Sequence, residues 1–167
     1  MELLIIRHAI AAARDEDRWR DDGLRPLTTQ GINRSRRAAA GLKLITKAPD
    51  RLLTSPLVRA RQTAKILTEV AGWPRAEQVP ELLPGTSALK VLTLLAKDRS
   101  KRVALVGHQP DLSALLAACL LGNQGLIPVD LKKNAIACVS FQGSARAGRA
   151  VLKWLATPRM LRALRRD

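Results

Sequence analysis

Leu3-Leu4-Ile5-Ile6 runs without a polar break into Arg7-His8, and Val103-Ala104-Leu105-Val106 runs in the same way into Gly107-His108. A strand covered on both faces reads as a continuous Leu/Ile/Val run, whereas a strand with one wet face alternates. Both stretches therefore predict buried parallel strands, and ligands of open α/β sheets bind beyond the carboxyl ends of such strands. His8 and His108 are the only two histidines of the chain. If the two strands are neighbours, both imidazoles meet at one edge of the sheet.

Outward from these strands, helix and strand signals alternate. The stretch from Arg14 to Arg25 is too charged for a core and predicts a loop over the sheet edge. Thr28-Thr29-Gln30-Gly31 offers a helix start, and Ile32, Ala38, Ala39, Leu42 and Ile45 recur at helical spacing until Pro49. Arg51 to Thr54 predicts a short strand. Ser55-Pro56 predicts an N-cap with proline at the first helical position, opening a helix through Ala60, Ala64 and Leu67 to about Gly72. Val79-Pro80-Glu81 is expected as an edge strand, where proline is tolerated, and Ser87 to Ala96 as a helix. Pro110-Asp111 begins a helix carrying Leu112, Leu115, Leu116 and Leu120 that Gly122 stops. Ala135 to Phe141 and Ala150 to Leu155 predict an antiparallel hairpin, and Pro158 to Arg166 a helix burying Leu161 and Leu164. The alternation predicts an α/β fold: a three-layer sandwich, with a mainly parallel central sheet and helices on both faces. At 167 residues, one domain spanning 1–167 is expected.

Composition narrows the function. Trp19, Trp73, Trp154 and Phe141 are the only aromatic residues, too few to build base-stacking platforms for single-stranded nucleic acid. A formal charge of +15 attracts phosphate, nucleic acid or an acidic protein, yet no nucleic-acid motif or basic recognition helix stands out. Cys119 and Cys138 lie inside apolar segments without disulfide or metal-ligand spacing, which predicts buried thiols in a reducing compartment. Glu2 stands where a secretory leader carries basic residues, Arg7 ends the first apolar run, and no run reaches membrane-spanning length. A cytoplasmic monomer without membrane or nucleic-acid partners is expected.

Phosphoryl transfer needs an in-line nucleophile and positive charge on the non-bridging oxygens. His8 supplies the nucleophile, and neighbouring arginines favour its neutral form with a free lone pair. Arg7 and Arg59 can hold phosphate oxygens through charge-assisted hydrogen bonds, and His108 can stabilise transition-state charge. Arg59 enters by position, because the helix opened by Ser55-Pro56 places it in the first turn beside free backbone amides. Arg25 can reach a substrate phosphate from the charged loop. Glu81 is the candidate general acid, and Glu16 and Asp17 are further carboxyl groups on the loop after His8.

Arg7-His8 after the first strand, Arg25-Pro26-Leu27-Thr28 with Gly31, the run Ser55-Pro56-Leu57-Val58-Arg59-Ala60-Arg61-Gln62-Thr63-Ala64, and Gly107-His108 together resemble the histidine phosphatase superfamily. The short length and the segments Pro80-Glu81-Leu82-Leu83-Pro84 and Asn134-Ala135-Ile136-Ala137 are similar to its SixA-type phosphohistidine phosphatase branch. That resemblance implies a phosphoglycerate-mutase-like fold and transfer of phosphate from a phosphohistidine on a signalling protein to His8, followed by hydrolysis. It maps the phosphate pocket onto Arg7, His8, Arg59 and His108, and it implies no metal or organic cofactor. Ala9 departs from the glycine that the family usually carries after the nucleophile. Two other functions compete: hydrolysis of small phosphate esters or polyphosphate, and a non-catalytic phosphate- or nucleic-acid-binding module.

Overall fold

Both apolar runs lie at the centre of one six-stranded sheet in the computed structural model, which describes residues 1–123 and 128–164. The strands are β1 (Glu2–Arg7), β2 (Arg51–Thr54), β3 (Glu77–Gln78), β4 (Arg102–Gly107), β5 (Ile136–Phe141) and β6 (Ala150–Ala156), in the order β3-β2-β4-β1-β5-β6. β3, β2, β4 and β1 are mutually parallel, whereas β5 runs antiparallel to β1 and β6 antiparallel to β5. The helices are α1 (Thr29–Leu42), α2 (Val58–Ala71), α3 (Ala88–Ala96), α4 (Asp111–Leu121) and α5 (Pro158–Ala163).

Because successive strand residues point to opposite faces, each run feeds two cores. Leu4, Ile6, Leu52, Ala104 and Val106 pack with Ala39 and Leu42 of α1, Ala64 and Leu67 of α2, and Leu161 of α5. Leu3, Ile5, Leu53, Val103 and Leu105 pack on the other face with Val91 and Leu95 of α3 and Leu115 and Leu116 of α4. The three layers follow from this division. Each fully buried Leu or Ile stabilises the fold by roughly 1.5 to 3 kcal/mol relative to an exposed one, before ordering entropy is subtracted. Both cysteines are free and buried.

Local chemistry sets most helix ends. The Thr28 hydroxyl accepts from the Gly31 amide at 2.9 Å, and Gly72 and Gly122 end α2 and α4 in the left-handed conformation. Four expectations need correction. Leu57, not Ser55, precedes the first turn of α2: the Ser55 hydroxyl accepts from the Leu57 amide at 3.4 Å and contacts His108 Nε2, and it reaches no amide of the first turn. The edge strand is Glu77–Gln78, and Pro80 opens a 3-10 turn over Pro80–Leu82: Val79 still donates to Thr54, but Pro80 has no amide to continue the ladder. α1 ends at Leu42, leaving Ile45 41% exposed. α5 ends at Ala163, with Leu161 buried but Leu164 40% exposed, since six residues present only one stripe to α1; the expected continuation over 165–166 lies outside the described residues.

Two glycines permit close approaches. A β-carbon on Gly31 would collide with the carbonyl oxygen of Ile10, which holds the chain just after His8 against α1, and one on Gly41 would collide with the carbonyl oxygen of Leu161 in α5. Because backbone cannot yield as a flexible side chain does, Gly31→Ala and Gly41→Ala are each expected to destabilise by about 1 to 3 kcal/mol. Urea unfolding midpoints test this, and Gly31→Ala should in addition lower activity.

Candidate active site

β1 and β4 pair with Arg7 opposite Gly107, so His8 and His108 are the first residues beyond the same rung of the ladder. The His8 amide donates to the Gly107 carbonyl at 3.1 Å, and the two imidazole centroids lie 5.1 Å apart with planes tilted by 50°. β2 is the next strand on β4, and α2, which follows it, carries Arg59 in its first turn. His8, His108 and Arg59 are 7%, 4% and 4% exposed.

Hydrogen bonds fix the chemistry of each ring. His8 Nδ1 lies 2.7 Å from the Ala9 carbonyl oxygen, which can only accept, so the proton sits on Nδ1 and Nε2 carries the lone pair. His108 Nε2 lies 2.9 Å from Ser55 Oγ. The Ala9 amide donates to Thr63 Oγ1 at 3.0 Å, and that hydroxyl donates to the Arg59 carbonyl at 2.7 Å, tying the segment after His8 to α2. Ala9 is buried on the α1/α2 face, and among the described residues Asn134 is the one non-glycine with positive φ. The backbone at Ala9 therefore does not demand glycine, and its methyl group is accommodated in the core.

The guanidinium groups are held by backbone and by one carboxylate. Arg7 Nη1 donates to the Leu131 carbonyl at 2.8 Å. Arg59 Nη1 donates to the Asp22 carbonyl at 2.7 Å and Nη2 pairs with the Asp22 carboxylate at 3.0 Å. Arg25 Nε donates to the same carboxylate at 2.8 Å and Nη1 to the Ala12 carbonyl at 2.7 Å. The Arg25 hydrogen bond, with Arg59 and Arg14 adding, holds the Asp22 carboxyl below its ordinary range against the effect of burial. Three buried nitrogens are left without a protein partner among the described residues: Arg7 Nε, Arg59 Nε and His108 Nδ1. An unpaired buried donor costs about 1 to 3 kcal/mol, so the two arginine Nε groups, joined by His108 Nδ1 when the Ser55 hydroxyl donates to Nε2, favour an oxyanion there.

Burial pushes His8 down to about 3, with the Ala9 carbonyl opposing and His108, Arg59 and Arg7 adding to the shift. Burial likewise pushes His108 down to about 4, reinforced by Arg59 and opposed by Asp22. Both rings are neutral at pH 7. The arginines thus act in the direction expected, but burial dominates. Among the described residues no three His, Cys, Asp or Glu side chains group as a metal-ligand set.

Arg7, His8, Arg59 and His108 come together at one sheet edge. Arg25 is buried beyond Arg59 and engaged with Asp22 and Ala12. Glu81, on the Pro80–Leu82 turn, lines a crevice with Gly107, His108 and Asp111, whereas Glu16 and Asp17 are exposed on the loop. Asp22, Ser55 and Thr63 were not legible in advance. Asp22 sits in a run of mixed charge that reads as solvated, Ser55 before proline reads as a helix cap, and Thr63 carries only helical spacing from Arg59.

The family model of the histidine phosphatase superfamily (branch 1) matches residues 3–83. An uncharacterized protein of Picosynechococcus sp. is 39% identical over 81% of this chain and 82% of its own length. The phosphohistidine phosphatase SixA of Escherichia coli K12 is 32% identical over 95% of this chain and 94% of its own. A solved structure of the protein histidine phosphatase SixA complexed with tungstate superimposes with a TM-score of 0.82 at 30% identity, covering 96% of this chain and 99% of that one. With relatives this similar over nearly its whole length, the chain belongs to the histidine phosphatase superfamily, on its SixA-type branch, and is a phosphatase.

Proposed function

We propose that this phosphatase removes phosphoryl groups from phosphohistidine on a cytoplasmic signalling protein, through a covalent phosphohistidine at His8. The observation that carries the reading is a neutral His8 with a bare Nε2, its ring 5.1 Å from that of His108, at a site where Arg7 Nε, Arg59 Nε and His108 Nδ1 are buried without a protein partner. The named activity of the Escherichia coli relative, and the tungstate, a tetrahedral oxyanion, in the related solved structure, support it. The Nε2 lone pair forms a bond to phosphorus as the bond from phosphorus to the substrate imidazole breaks, and the departing imidazole takes a proton from solvent water. Arg7 Nε, Arg59 Nε and His108 Nδ1–H, the last set by the Ser55 hydroxyl donating to Nε2, hold the developing oxyanion. Water then attacks phosphorus, the bond to His8 Nε2 breaks, and inorganic phosphate leaves. Arg25 contributes through Asp22, which it holds against Arg59.

A phosphorylated imidazole leaves more readily than an alkoxide, so this substrate needs little help from an acid. Glu81, in the crevice beside His108, is assigned to protonating poorer leaving groups. Glu81→Gln is expected to slow hydrolysis of alkyl phosphates by on the order of 10²-fold while leaving phosphohistidine turnover little changed. Parallel steady-state assays on the two substrates decide this.

Quenching the native chain during turnover of a radiolabelled phosphohistidine domain should trap acid-labile, base-stable phosphate. His8→Ala should carry no label and lose at least ~10³-fold in rate. Equal labelling of both proteins would overturn the reading. Assaying a panel of small phosphate esters alongside tests the substrate class.

The same rings set a pH dependence. Their pKa values are depressed in the fold, so the unfolded chain takes up protons below about pH 6.5 that the native state refuses until about pH 3 to 4. Stability from this source is full above about pH 6.5 and falls as the pH falls through that window. Thermal midpoints should drop between pH 6.5 and 5, above the range where most carboxylates titrate, and His8→Gln/His108→Gln should flatten the slope. Imidazole NMR signals of both rings should remain those of the neutral form at pH 5.

A further inference from the structure

A cavity of about 370 Å³ adjoins the strand end of the nucleophile, with Arg7 and Ala9, the residues flanking His8, in its wall. Apart from Ile10, its remaining wall comes from three separate elements. α1 contributes Arg34, the segment before β5 contributes Asp130, Lys132 and Lys133, and α5 contributes Arg162. Asp130 is the one carboxylate of the wall, and it pairs with Lys132 at 3.8 Å. Among the described residues no carboxylate forms an ion pair with Arg34, Lys133 or Arg162.

These cations stand in one another's field. Burial and then the charges of Arg7 and Arg25 lower the pKa of Lys133, and burial followed by Arg34 and Arg37 lowers that of Arg162. Lys133 is thus coupled to the phosphate pocket, whereas Arg162 is coupled to the exposed side of α1. A run of like charge stretches from the strand end to the α1–α5 ridge, and each added anion along it relieves repulsion. A single small phosphate neutralises one point of such a run. Several carboxylates presented by a folded partner match its length and its distribution over three elements.

We infer that this cavity and the adjoining ridge dock the acidic face of the phosphoprotein substrate, with carboxylates near the phosphohistidine pairing with Arg34, Lys133 and Arg162. The inference rests on the phosphohistidine reading and adds what the phosphate pocket alone does not specify: which surface of the substrate faces the enzyme. Steering by such a face shows in KM and in salt dependence, not in the bond-breaking step.

The test is steady-state kinetics of the native chain and Arg34→Glu/Arg162→Glu on two substrates, a chemically phosphorylated, acidic histidine-phosphotransfer domain and free phosphohistidine. Neither substituted side chain holds the phosphoryl group. In the double variant KM for the domain is expected to rise about tenfold or more at low salt with kcat retained, while free phosphohistidine turnover stays unchanged. KM of the native chain should climb with salt more steeply than that of the variant, and Arg34→Lys/Arg162→Lys should restore native behaviour. An unchanged KM for the domain, or equal loss on both substrates, overturns the docking face alone. Loss confined to a small alkyl bisphosphate assayed alongside shows a second phosphate subsite and likewise overturns it. Failure of the native chain to turn over either phosphohistidine substrate overturns the function on which it rests.

Discussion

With Arg7 opposite Gly107, the pairing of β1 with β4 brings both strands to an end at one level, and the His8 amide closes the junction on the Gly107 carbonyl. A slip by one residue in either strand would exchange its two faces. Leu4 and Ile6 would then leave the α1/α2/α5 core and Leu3 and Ile5 the α3/α4 core. Since both faces are buried in layers of different shape, packing holds the register, and the register holds the two imidazoles 5.1 Å apart. The geometry of the candidate site is thereby a by-product of core packing several residues away.

The same dependence explains what was legible in the sequence. Leu3 to Ile6 and Val103 to Val106 announce their burial through composition alone, and whatever follows them must emerge at the sheet edge. Arg59 was legible because its helix follows the neighbouring strand. Contacts between distant segments leave no periodic trace. Ser55 carries a cap signature but serves His108, Thr63 reads as an ordinary helical residue but receives the Ala9 amide, and Asp22 reads as one of several loop charges but bridges Arg25 and Arg59. Glu81 fell on a turn because the edge strand stops where proline removes the next donor. The Ala9 departure, ambiguous in one dimension, is resolved by a core able to take a methyl group.

Strand ends and the loop carrying Asp22 have separate electrostatic duties. Strand ends hold neutral rings in place, and burial, reinforced by the surrounding cations, keeps them neutral. The counter-charge comes from Asp22, on a loop whose neighbouring residues are largely exposed. Arg59 thus has its outer nitrogens occupied while Nε stays turned inward, which limits the guanidinium to one approach toward an anion. Orientation is set before substrate arrives, and little reorganisation is left for the reaction itself.

The two thiols bear on a different property. Cys119 lies in the α3/α4 core, where burial pushes it up to about 12. Cys138 donates to the Glu2 carboxylate, and burial together with that neighbour pushes it up to about 12 as well. At neutral pH neither carries an appreciable thiolate, the form that attacks peroxides and disulfides. Phosphatases built on a cysteine nucleophile surrender activity to oxidants because the reacting atom is sulfur. In the proposed mechanism the reacting atom is an imidazole nitrogen, and with both thiols locked in the interior that mechanism is insulated from the redox state of the surrounding solution.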